Sequence, residues 1–168
     1  MSTSFENAAT KSVDVDGTKF VYRELGNPGG VPVVMLHHLT AVLEDWDPRV
    51  VDGLAAKHHV IAFDNRGVGG SGGSTPQTVD EMAGDAVAFI RALGFRKVDL
   101  FGFSLGGFVS QVVAQQHPEL VRKIILAGTG RQVARASRMS APSCRTRSAR
   151  RAPATSIRNS FCSLPILL

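Results

Sequence analysis

Apolar and polar positions alternate at the start of this chain and then gather into longer blocks. Residues 13–15 and 20–25 read as two short strands around Asp16-Gly17, a dipeptide that favours a tight hairpin turn. Residues 31–36 form a continuous apolar, β-branched run, the pattern of a strand buried on both faces. Asp47-Pro48 opens a helix that runs to about Lys57, because Asp accepts from free amides at the N-cap and Pro suits the first helical position. Val60–Phe63 is the next strand, and a glycine-rich loop follows at 67–73. Thr78-Val79-Asp80-Glu81 is a capping box. Val79, Met82, Ala83, Ala86, Ile90 and Leu93 then recur at helical spacing until Gly94 ends the helix. Residues 98–101 read as a strand, Leu105–Gln116 as a helix stopped near His117-Pro118, and Val121–Ala127 as a final strand.

A hairpin followed by strand–helix–strand–helix–strand–helix–strand predicts an α/β fold in three layers, α/β/α, around a mostly parallel sheet. The pattern changes at Thr129. Residues 131–158 are rich in Arg, Ser and Ala, lack any acid and show no apolar period, and the chain ends in the apolar run 161–168. The expected organisation is a core over residues 11–128 and a disordered tail over 129–168.

The chemistry centres on Gly102-Phe103-Ser104-Leu105-Gly106, which matches G-x-S-x-G. It lies after an apolar strand and before a helix, the strand–turn–helix setting a nucleophile elbow requires. A serine on so tight a turn needs neighbours of little bulk, and Gly102, Gly106 and Gly107 supply them. The turn aims the hydroxyl out of the sheet, and the positive end of the next helix faces any oxyanion that forms. The alternative is a glycine-rich turn carrying an incidental serine; the setting favours the nucleophile.

Residues 11–128 resemble the α/β-hydrolase superfamily, in the branch of small single-domain esterases, lactonases and cofactor-free haloperoxidase-like enzymes. The motifs that carry the likeness are Val33-Val34-Met35-Leu36-His37-His38, Asp45-Trp46, Asp64-Asn65-Arg66-Gly67-Val68-Gly69-Gly70-Ser71 and Gly102-Phe103-Ser104-Leu105-Gly106-Gly107. The resemblance implies Ser104 as catalytic nucleophile on a small ester or lactone, through an acyl-enzyme. A serine there excludes the branches that attack with Asp. The backbone amide of Leu105 would be one oxyanion donor. The second would come from the loop after the third strand, at the amide of Leu39. The family's His-Gly pair is His37-His38 here, so a side chain stands where glycine is usual. His37 and His38 read as packing and hydrogen-bonding residues near the pocket mouth rather than bases. Asp64 and Arg66 read as structural, holding the loop beside the elbow through a charge-assisted hydrogen bond.

Other chemistry is set aside on the same residues. His37-His38 and His58-His59 lack a Cys or a suitably spaced carboxylate, so no metal is expected. Residues 67–72 fit G-x-G-x-x-G, yet Ser74-Thr75-Pro76 separates them from the helix, which argues against a dinucleotide; no cofactor is expected. In this fold the triad runs Ser, then Asp or Glu, then His. After Ser104 come only Glu119 and His117, at the far end of a helix of about 12 residues, roughly 18 Å away at ~1.5 Å per residue. The usual acid and base are therefore missing. The core reads as incomplete, truncated or frameshifted after about residue 128, with impaired activity. A catalytically inactive fragment or interaction protein is the alternative.

Composition changes this picture in one respect. The 168 residues carry a net charge of +5. Residues 1–128 hold 11 Lys/Arg against 14 Asp/Glu, a sum of −3, and residues 129–168 hold eight Arg and no acid, a sum of +8. The basicity belongs to the tail, which lacks interleaved aromatics, so nucleic acid is not the expected partner. The two cysteines, Cys144 and Cys162, also lie there. No apolar stretch approaches the ~20 residues of a membrane span, and a cytoplasmic setting is expected. With no strand beyond it, Val121–Ala127 becomes a sheet edge, from which self-association and marginal stability are expected.

Overall fold

The computed structural model describes residues 4–131. The expectation of a disordered tail falls on residues outside that range, apart from its first three. Six strands and three α-helices appear in the predicted order: β1 (Lys11–Val15), β2 (Thr18–Leu25), β3 (Val33–Leu36), α1 (Pro48–Ala55), β4 (Val60–Phe63), α2 (Val79–Ala92), β5 (Val98–Phe103), α3 (Leu105–Gln116) and β6 (Val121–Ala127). Two single-turn 3₁₀ helices, Phe5–Asn7 and Leu43–Asp45, were not expected from the pattern. No helix among the described residues is long and apolar enough to cross a membrane.

Local chemistry explains the boundaries. Asp16 and Gly17 both take positive φ (50° and 78°), which lets Val15 pair directly with Thr18. The Asp47 carboxylate accepts from the Arg49 amide at 2.9 Å to cap α1. Thr78 and Glu81 form the reciprocal capping box of α2. Strand β3 begins two residues later than the apolar run, because Pro32 has no N–H to give to a ladder. Strand β5 runs two residues further than expected, since its pairing with β6 continues to Phe103 opposite Ala127.

The sheet order is β1-β2-β4-β3-β5-β6. Strands β4, β3, β5 and β6 are mutually parallel, and β1 and β2 add an antiparallel hairpin at one edge. Alternate residues of the central strands serve opposite faces. Val34, Leu36, Ile61, Phe63, Val98 and Leu100 pack under α2 and α3, where Phe63 stacks on Phe89 at 4.3 Å. Val33, Met35, Val60 and Ala62 pack with Trp46 and Val51 on the α1 side. This is the three-layer α/β/α arrangement.

Chain order and spatial order together locate a topological switch point. From β3 the chain moves to β4 on one side, then returns through α2 to β5 on the other side. The connections leaving the C-terminal ends of β3 and β5 therefore diverge at this point, where open α/β sheets bind ligands.

Candidate active site

Ser104 stands at that switch point. It is the single residue between β5 and α3, with φ 52° and ψ −113°. Positive φ is costly for a residue with a Cβ and persists only where the surroundings impose it. Here the Ser104 amide donates to the Ala127 carbonyl at 2.9 Å, and its carbonyl accepts from the Gly107 amide at 3.0 Å. The side chain is half-buried, and its hydroxyl has no hydrogen-bond partner among the described residues. The Leu105 amide opens α3 and is likewise left without an acceptor among them.

Two glycines let the start of α3 pack closely, Gly106 against the end of β3 and Gly102 against the first turns of α3. A Cβ on Gly106 would overlap the Leu36 carbonyl and press on that of His37. A Cβ on Gly102 would meet the Ser110 hydroxyl and the Gly106 carbonyl. The start of α3 thus lies on the end of β3 backbone to backbone. Leu39, on the loop that follows, is 61% exposed, and its amide has no acceptor among the described residues.

His37 is buried, with its ring over Trp46 at a centroid distance of 4.1 Å. Its Nδ1 accepts from the His38 amide at 3.0 Å, and Nε2 is buried with no hydrogen-bond partner among the described residues. Burial, helped by the nearby His38 ring, pushes its pKa down from 6.5 to about 4. The ring is therefore neutral near pH 7. Between those two values the unfolded chain binds a proton that the folded chain refuses, so on the order of 3 kcal/mol is present above about pH 6.5 and lost as pH falls toward 4. His37→Asn, which keeps an acceptor for the His38 amide, is expected to flatten this acid dependence in urea unfolding between about pH 7 and 4.5. Equal slopes for the two proteins would show that His37 titrates normally.

Asp64 and Arg66 take separate partners. The buried Asp64 carboxylate accepts from the Leu43 and Gly70 amides, each at 2.8 Å, and so ties the loop after β4 to the 3₁₀ turn beyond β3. Burial raises its pKa against the pull of those amides. Arg66 pairs with Asp85 of α2 at 2.5 Å. The sequence predicts a charge-assisted hydrogen bond holding this loop beside the elbow; the ion pair found here, Arg66 with Asp85, anchors the loop to α2. Asp85 lies 19 positions beyond Arg66, and no motif marks it.

His117 and Glu119 sit at the far end of α3, bonded to each other at 3.3 Å, with Arg91 against Glu119 at 3.5 Å. No histidine or carboxylate among the described residues hydrogen-bonds Ser104.

With a topological switch point and a serine of positive φ between strand and helix, the molecule belongs to the class of doubly wound α/β proteins. The family model for the alpha/beta hydrolase fold matches residues 31–160, and the chain belongs to that family. The matched span continues past Gly128, where the motif-bearing segment ends. The chain is 34% identical over 115 residues to a non-heme haloperoxidase of Rhodococcus erythropolis, covering 67% of this chain and 41% of that protein. It superposes on an alpha/beta hydrolase fold protein from Chitinophaga pinensis with TM-score 0.73 and 44% identity, over 74% of this chain and 45% of that one. An N-acyl homoserine lactone degrading enzyme gives TM-score 0.64 and 31% identity, over 71% and 46%. The chain thus spans less than half the length of each of these three proteins.

Proposed function

We propose that Ser104 is the nucleophile of a hydrolase acting on a small ester or lactone through an acyl-enzyme. The observation that carries this reading is the backbone of Ser104, φ 52° and ψ −113°, which presents a half-buried hydroxyl at the head of α3. In the reaction the Ser104 oxygen attacks the substrate carbonyl, and the amides of Leu105 and Leu39 receive the negative charge. Likeness to a lactone-degrading enzyme supports the substrate class. Residues 4–131 supply the nucleophile and both donors, with no proton acceptor bonded to Ser104. Turnover by this chain alone is therefore expected to be weak, of the order that oxyanion stabilisation leaves when a triad is broken. The test is hydrolysis of p-nitrophenyl acetate by the purified chain and by Ser104→Ala. The first should exceed the second, and equal rates would show that the serine does no chemistry.

A second reading, an inactive fragment that associates through its sheet edge, is favoured by β6. Ile125 is 40% and Leu126 41% exposed on this strand, the last of the sheet on that side among the described residues. Unpaired backbone beside exposed apolar side chains is a template for strand addition. Size-exclusion chromatography is expected to show concentration-dependent dimers, which Ile125→Lys suppresses. A wild-type chain that stays monomeric at its highest soluble concentration rules this reading out.

A further inference from the structure

The loop leaving β3 is tied down from several directions. The His38 amide donates to His37 Nδ1, and the His38 carbonyl accepts from the Ala41 amide at 3.4 Å. The Leu39 carbonyl accepts twice, from Thr40 Oγ1 at 2.7 Å and from His38 Nδ1 at 3.0 Å. A carbonyl oxygen can only accept, so His38 carries a proton on Nδ1. Thr40 takes φ 60°, a conformation a β-branched residue rarely adopts. The His38 ring stands edge-on to His37 at 4.7 Å and to Phe103, the neighbour of Ser104, at 5.6 Å. Of the hydrogen-bonding groups of the His38–Leu39 peptide, the carbonyl is engaged and the amide is left over.

We propose that His38 and Thr40 are positioning residues. Together they clamp the Leu39 carbonyl, hold the turn in its strained form and so fix the Leu39 amide as an oxyanion donor. This rests on the reading of Ser104 as the nucleophile. A donor stabilises developing charge only if it is already in place when the charge appears. A side chain at position 38 would usually crowd such a loop, and here its ring nitrogen supplies the restraint instead. The strain at Thr40 is the counterpart of that restraint, since the turn is held open against its own preference.

An aryl trifluoromethyl ketone tests this on the full chain, with affinity read by ¹⁹F NMR. The serine oxygen adds to the ketone carbon, the carbonyl electron pair moves onto oxygen, and the hydroxyl proton passes to buffer. The wild type should form the adduct and Ser104→Ala should not. His38→Ala and Thr40→Val should each weaken it about ten- to hundredfold. His38→Asn, whose side-chain nitrogen reaches the place of Nδ1, should recover most of the loss. The matching trifluoromethyl carbinol, which cannot form an adduct, should bind all variants alike. Unchanged adduct affinity in both His38→Ala and Thr40→Val, with Ser104→Ala inactive, overturns the clamp and leaves the serine reading standing. Equal weakening of ketone and carbinol also overturns it, since that reports pocket shape alone. Absence of any adduct in the wild type overturns both readings.

Discussion

Gly106→Ala is expected to cost about 3 kcal/mol or more, which lowers the thermal midpoint by roughly 10 °C in unfolding followed by circular dichroism. The added methyl would overlap the Leu36 carbonyl and crowd that of His37. Neither can move freely, because Leu36 is registered opposite Gly102 in the sheet and the Gly106 carbonyl is bound by Ser110 Oγ at 2.7 Å. Helix α3 must therefore shift as a body. Against a total stability of about 5–15 kcal/mol the loss is a large fraction. Gly84 provides the control: it lies within α2, and an added Cβ there meets nothing within 4 Å. Gly84→Ala should raise stability by up to about 1 kcal/mol through helix propensity. One substitution type thus gives opposite signs at two helical positions. A loss below about 1 kcal/mol at Gly106 would mean that α3 slides away from β3 at little cost.

Ser104→Gly should separate stability from chemistry. Glycine adopts φ 52° without the penalty that serine bears there, a relief of about 1–3 kcal/mol, offset by about 0.5–1 kcal/mol of added freedom in the unfolded chain. The net expectation is a gain of about 1 kcal/mol in urea unfolding, together with complete loss of serine-dependent ester cleavage. Such opposition is the signature of strain retained for function. If Ser104→Gly is instead less stable than the wild type, the turn is not strained, and its geometry loses its meaning as a sign of reactivity.

Much of the architecture is legible in local pattern. The Asp16-Gly17 turn, the capping box at Thr78 and the apolar runs of β4 and β6 each act over a few residues, so their chemistry is printed side by side in the chain. The serine turn is legible for the same reason, since strand, Ser104 and helix are contiguous. Its partners were less so. The pairing of Arg66 with Asp85, the burial of His37 beneath Trp46 and the 3₁₀ turn at Leu43–Asp45 depend on segments brought together by folding.

By itself the sequence determined the order of the strands and α-helices, the family and the serine on its turn, because periodicity and steric permission are properties of neighbours. Tertiary structure alone decided that β3 lies between β4 and β5, and hence that the connections leaving β3 and β5 start side by side before they diverge. It also decided that Asp64 bridges two loop amides and that His38 turns its Nδ1 onto the Leu39 carbonyl. Those outcomes follow from long-range packing, in which a side chain's partner is chosen by the sheet's geometry rather than by its distance along the chain.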